Sequence, residues 1–275
     1  MTASDTKALP IGVFDSGVGG LTVLKALRAA MPGENLVYLG DTARLPYGTK
    51  SPASIARYAS QATALLQERD IKLLVVACNT ASAVALETLR KQMHPLPVIG
   101  VVEPGAEAAV AARPQGRHLV LATEATVCLG AYKAALLNMD PGSVVTELAC
   151  ELLVSLAEEG WNDGSIAEAI VLRYLAELDE VERHPDSVIL GCTHFPLLRA
   201  TFSAVFDSSV SIVDSASTTA AAVMRELQTL ALANDSGCTG STALLATDGA
   251  TRFARVGGQF LGHELTYADI EVVDL

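Results

Sequence analysis

The sequence lacks the features that mark several large protein classes. No two cysteines stand in a C-x-x-C pair, and the five present (Cys78, Cys128, Cys150, Cys192, Cys238) are an odd number. Neither a full disulfide framework nor a zinc cluster is expected, and a reducing cytoplasm suits such a chain. Positive charge is scarce: 19 Lys and Arg face 31 Asp and Glu, a net charge of −12. That balance disfavours a general binder of nucleic acid or of an anionic membrane. A bound anion would have to be held by local dipoles or a few placed groups. No apolar run approaches the roughly 20 residues of a membrane span. The segment from Met1 to Pro10 is polar and has no signal-peptide core.

What is present is ordinary globular material. Hydrophobic residues make up 50% of 275 residues and charged residues 18%, enough for one large domain or two modest ones. Short apolar runs alternate with helical periodicity. Strands are expected at 11–14, 36–39, 71–77, 98–102, 118–122, 187–190, 211–213 and 243–245, with helices between them. The run 71–77 shows no alternation, as a strand covered on both faces requires. Ser51-Pro52 is a helix start, a capping hydroxyl before a first-turn proline. The pattern predicts an α/β protein of mainly parallel sheets flanked by helices. Ligands then belong at the carboxyl ends of the strands.

A faint duplication supports two similar domains with a cleft between them. LLVVACNTAS (73–82) and VILGCTHFPL (188–197) each run from an apolar strand through cysteine into a polar pair and a helix. The expected division is 1–102 with 214–275 for one domain and 103–213 for the other.

Cys78 and Cys192 therefore stand out, because helix-terminal amides stabilise a thiolate. The plain alternative is apolar filler, which is the reading given to Cys128, Cys150 and Cys238. The loop Asp15-Ser16-Gly17-Val18-Gly19-Gly20 lets backbone amides approach an anion, although its spacing is wrong for a dinucleotide fingerprint. Asp41 suits a turn. Asn79, Thr80 and Thr193 suit helix caps or carboxylate donors, and His194 is poised to assist a thiol. His94, His118, His184, His263 and Trp161 receive no role.

Five segments, taken in order, resemble the glutamate racemase family of cofactor-independent amino-acid racemases. They are IGVFDSGVGGLTVL (11–24), YLGDTARLPYGTKS (38–51), LLVVACNTASA (73–83), VIGVVEPG (98–105) and ILGCTHFPLL (189–198). The resemblance implies that Cys78 and Cys192 are the catalytic pair, assisted by Asp15 and His194. It implies substrate contacts from Asp15, Ser16, Pro46, Tyr47, Gly48, Asn79, Thr80, Thr193 and His194. Asp41 lies in a family motif, and Glu158 matches a carboxylate near Cys192. The segment 147–160 departs from the family pattern, with Glu151 and Ser155 where prolines are usual. The resemblance further implies glutamate as substrate, D-glutamate for peptidoglycan as product, no cofactor or metal, and a homodimer. Open alternatives are a racemase of aspartate or a related acid, a cysteine hydrolase or transferase with His194 as base, and a noncatalytic binding protein.

Overall fold

The computed structural model describes residues 3–275, with side chains from Thr6 onward. Residues 1 and 2, where the first expected domain begins, lie outside the described residues. The strands are β1 (Ile11–Asp15), β2 (Leu36–Gly40), β3 (Leu73–Val76), β4 (Val98–Gly100), β5 (Arg117–Ala122), β6 (Val144–Ala149), β7 (Ser187–Gly191), β8 (Ser211–Asp214), β9 (Thr242–Ala246) and β10 (Ile270–Val272). The helices are α1 (Ala3–Ala8), α2 (Leu21–Ala30), α3 (Pro52–Gln67), α4 (Asn79–Met93), α5 (Val102–Ala112), α6 (Glu124–Cys128), α7 (Ala131–Met139), α8 (Leu152–Glu159), α9 (Gly164–Leu175), α10 (Arg199–Val205), α11 (Ser215–Thr229) and α12 (Ala250–Leu261). None of the described helices is long and apolar enough to cross a membrane.

Two parallel sheets carry these elements, as the strand–helix alternation predicts. The first has the order β10-β9-β2-β1-β3-β4, the second β6-β5-β7-β8. Successive residues of a strand face opposite sides of its sheet, and both sides are apolar here. Ile11 and Val13 pack with α2, α11 and α12, whereas Phe14 packs with α3 and α4. In the second sheet Leu119 and Leu121 meet α8, α9 and α10, while Val120 and Ala122 meet α5 and α7. The chain leaves the first sheet through α5, which packs on β7 and β8, and returns through α11, which packs on α2. Asp214 starts that return by accepting the Ser217 amide at 2.8 Å. We call the two sheet units with their helices the first and second lobes.

Several boundaries differ from expectation. The run 71–77 is strand only over 73–76. The run 98–102 stops at Gly100, because Pro104 sits in the first turn of α5, where its fixed φ and missing N–H suit a helix start. Strands β6 and β10 have no expected counterpart. β6 is an edge strand whose first residue, Val144, is 59% exposed. β10 is a three-residue edge pairing after a 3₁₀ turn. Both lack the strong apolar signature of buried parallel strands. Cys128 and Cys238 are exposed, which corrects their reading as buried filler, while Cys150 is buried.

One buried ion pair pins the amino-terminal edge of the first sheet. Lys72 Nζ donates to Glu34 Oε2 at 2.5 Å, to the Lys7 carbonyl at 2.6 Å and to the Leu232 carbonyl at 2.9 Å. Glu34 Oε1 accepts the Asn234 amide at 2.7 Å. All three ammonium protons are thus used, and α1, the loop before β2 and the segment after α11 are tied together. Removing one partner strands the other charge in a dry site. Glu34→Ala is therefore expected to cost about 3–5 kcal/mol in a denaturant unfolding experiment. A loss below about 1 kcal/mol, the range of exposed pairs, would show that the pair is not a keystone.

Candidate active site

The carboxyl ends of β1, β2, β3 and β7 deliver Asp15, Asp41, Cys78 and Cys192 to the junction of the two lobes. Cys78 leaves β3 in extended conformation and is the N-cap of α4. Its Sγ accepts the Ala81 amide at 3.4 Å, and its thiol lies 3.4 Å from Ser16 Oγ. Asn79 and Thr80 are therefore first-turn residues rather than caps. Cys192 is in a different context from the one its sequence suggests. It follows β7 directly, but a short 3₁₀ turn, Phe195–Leu198, separates it from α10. No full helix begins at Cys192, and its Sγ lies 3.7 Å from His194 Nδ1.

Burial dominates the electrostatics. Cys78 is 5% exposed and Cys192 6%. The Cys78 thiol is pushed up to about 12, first by loss of hydration and then by the Asp15 carboxylate. The Ser16 hydroxyl and Ala81 amide pull the other way, and charge on Cys192 adds to the rise. Asp15 is also raised by burial, against the opposing pull of His194 and of the Gly20, Gly17 and Ser16 amides. Its Oδ2 accepts the Gly17 amide at 2.9 Å, whereas Oδ1 is buried with no protein partner.

His194 takes the opposite course. Burial alone would depress it, but hydrogen bonds and charge from Cys192 and Glu158 outweigh that, and it is pushed up to about 10. Its Nε2 lies 3.2 Å from Glu158 Oε1, and Phe260 meets the ring edge-on with centroids 5.2 Å apart. Glu158 is held below the usual carboxylate range, chiefly by that hydrogen bond to His194. Its second oxygen accepts Arg252 Nη2 at 2.6 Å.

The glycine loop is the floor on which the lobes meet. A Cβ on Gly19 would collide with Thr193 Oγ1 and the His194 ring, so only glycine permits this approach. Thr22 at the start of α2 donates to the Thr193 carbonyl at 2.8 Å. Elsewhere Tyr132 of α7 donates to Asn79 Oδ1 at 2.7 Å, leaving the buried Asn79 Nδ2 without a protein partner. Thr80 Oγ1 lies 3.0 Å from Thr123 Oγ1 and 3.2 Å from Thr126 Oγ1. Tyr47 is buried and donates to Asp41 Oδ2 at 2.6 Å. Asp41 also receives Arg44 and Thr247. Gly48 lies beside Thr123 and Glu151. Pro46, next to Tyr47 after a cis peptide bond, is exposed.

The expected residues thus gather at one junction, Pro46 at its rim and Asp41 behind Tyr47. The altered segment 147–160 runs from the end of β6 through α8, and Glu151, at the N-cap of α8, accepts the Glu124 amide at 2.6 Å. Sequence reasoning missed Tyr132, Thr123, Thr126 and Arg252. Tyr132 reads as helix core, the threonines as turn residues and Arg252 as a solvated face. Chemically, the arrangement offers one thiol from each lobe, each with a titratable neighbour, and an unpaired donor, Asn79 Nδ2, one residue from Cys78.

The raised His194 has a consequence for stability. An unfolded histidine titrates near 6.5, so between about 6.5 and 10 the native state binds a proton the unfolded chain has released. The stabilisation is complete below about 6.5 and lost as pH rises through about 10. Wild type is expected to lose more stability than His194→Gln across that window, read from urea midpoints. Parallel curves for the two proteins would remove His194 as the source.

Comparison with known proteins gives concordant matches. The sequence profile of the Asp/Glu/Hydantoin racemase family matches residues 20–223. A glutamate racemase from Geobacter metallireducens is 46% identical over 255 residues, 93% of each chain. The crystal structure of glutamate racemase from Francisella tularensis in complex with D-glutamate superposes with a TM-score of 0.88 at 32% identity, covering 98% of both chains. A glutamate racemase isoform from Bacillus anthracis gives 0.91 at 33% identity, again over 98% of both.

Proposed function

The chain belongs to the Asp/Glu/Hydantoin racemase family, and we propose that it is a glutamate racemase working through Cys78 and Cys192 as a pair of opposed bases. It interconverts L- and D-glutamate. The observation that carries the thiol assignment is the delivery of one buried cysteine by each lobe to a common junction, each beside its own titratable partner.

Inverting the α-carbon requires a proton to leave one face and another to arrive on the opposite face. A single base cannot reach both. In the proposed cycle one sulfur enters as thiolate and takes the α-proton, breaking Cα–H and forming S–H. The electron pair moves into the carboxylate as an enediolate. The other sulfur, entering as thiol, returns its own proton to the far face and becomes the thiolate. The reverse reaction exchanges the roles.

Donors that stay fixed as charge develops on the α-carboxylate stabilise this transition state. Asn79 Nδ2, buried and unpartnered, is such a donor. Asp15 Oδ1, buried and unpartnered, suits the substrate ammonium, whose positive charge favours both Asp15 and Cys78 in their ionised forms. Ser16, Tyr47, Gly48, Thr80, Thr193 and His194 complete the proposed substrate shell, with Pro46 at its rim. Asp41 acts through Tyr47, and Glu158 through His194. The domain division 1–102 with 214–275 against 103–213 belongs to the same reading, and sheet membership supports it. A cytoplasmic homodimer, supply of D-glutamate to peptidoglycan, and independence of cofactor and metal are further parts of the proposed reading. The acidic composition fits a small substrate better than nucleic acid.

The test combines turnover with isotope position. Circular dichroism should record racemisation of glutamate without added cofactor and after dialysis against chelator. Cys78→Ala and Cys192→Ala should each abolish it while far-ultraviolet spectra stay native. L-glutamate turned over briefly in deuterated water should yield D-glutamate carrying α-deuterium, while recovered L-glutamate carries much less. Equal early labelling of both would replace the two thiols with one exchanging base. Turnover of aspartate but not glutamate would move the chain to another substrate within the family.

A further inference from the structure

We propose that Arg252 is a positioning residue for the Cys192 half of the reaction, holding Glu158 against His194 from the other lobe. This rests on the racemase reading given above. Arg252 lies in the first turn of α12, an element of the first lobe, and no expected motif includes it. Its Nη2 donates to Glu158 Oε2 at 2.6 Å, Glu158 Oε1 lies 3.2 Å from His194 Nε2, and His194 Nδ1 lies 3.7 Å from Cys192 Sγ. The four side chains form one continuous line ending at the sulfur.

An exposed ion pair usually contributes little, and Arg252 itself is 53% exposed. Glu158 is not exposed in that sense: it is 16% accessible, and each oxygen is committed to a different cation. A carboxylate shared in this way cannot turn toward one partner without leaving the other. The anchorage is equally one-sided. Phe253, Val256 and Phe260 bury α12 in the first-lobe core, and Phe260 also packs edge-on against His194. Ala157, next to Glu158, is buried in that same core although α8 otherwise packs with the second lobe through Leu153 and Leu156. Gln259 of α12 lies beside Gly160, where α8 ends. Separation of the lobes would draw Arg252 from Glu158 and release the carboxylate from His194. Closure therefore assembles the relay at the same time as it excludes water.

The charged and titratable groups around His194 are Cys192, Glu158 and Asp15, with Arg252 behind Glu158. Loss of Arg252 is expected to act through Glu158. Arg252→Ala should lower kcat about ten- to a hundredfold, the cost of a misplaced assisting group, with KM within about twofold. The α-deuterium isotope effect on kcat, measured separately from L- and D-glutamate, should grow in one direction only, the one in which Cys192 takes the proton. Arg252→Lys should restore a large part of kcat. The His194 imidazole, followed by NMR in the unliganded protein, should titrate lower in Arg252→Ala than in wild type. A kcat within twofold of wild type, or isotope effects that change equally in both directions, would overturn the proposal. The imidazole titration needs no substrate. If wild type failed to turn over glutamate, the racemase reading would fall, and the titration alone would judge Arg252: a lowered midpoint supports it, an unmoved or raised one refutes it.

Discussion

Taking a thiol out of water makes its ionised form expensive, and the organisation of the junction answers that cost. A solvated cysteine would ionise more readily, but water would also compete for the carbanion and quench it. Burial removes the water and raises the proton affinity of Cys78. The groups that oppose this rise are fixed ones: the Ser16 hydroxyl and the Ala81 amide at the start of α4. A thiol with high proton affinity is a strong base once ionised, which is what the proposed removal of a weakly acidic α-proton demands.

Parallel sheets supply this arrangement cheaply. Every parallel strand ends on the same side, so residues one or two positions beyond β1, β3 and β7 meet without long connections. Two lobes built this way present two such edges to one another. The contact between them is close only because Gly19 has no side chain, so that Thr193 and His194 can sit against the loop after β1. The threonine cluster and the Tyr132–Asn79 hydrogen bond join the lobes on the Cys78 side, and Arg252–Glu158 joins them on the Cys192 side.

How much of this was legible in the sequence depends on the range of the interaction. Buried parallel strands leave continuous apolar runs, so the central strands of both sheets were readable. Edge strands β6 and β10 were not, since their exposed residues dilute the signal. The glycine loop and both strand-end cysteines were visible as local patterns. The difference between them was hidden, because a 3₁₀ turn and an α-helix begin with similar composition. Glu158 came from family resemblance, and its contact with His194 depends on how α8 packs. Arg252 and Tyr132 are specified by contacts with residues about a hundred or fifty positions away, and no local periodicity encodes such a partner.

The proposed substrate is a dicarboxylate and the chain carries a net charge of −12, yet the carboxylates at the junction are locally offset. Asp41 is met by Arg44, Tyr47 and Thr247, and Glu158 by His194 and Arg252. Asp15 is partly offset by backbone amides and keeps one oxygen free, a place for a cation rather than an anion. Among the buried, unpartnered donors of the described residues, Asn79 Nδ2 stands one residue from Cys78 and is held in orientation by Tyr132. A carboxylate seated there would meet a neutral dipole. Such dipoles act at hydrogen-bond range, in a dry site where they are strongest. Salt screens exposed charges beyond about 8–10 Å, so the acidic surface exerts little repulsion on an anion held within the site. Selection for an anionic substrate can therefore be local while the protein as a whole stays acidic.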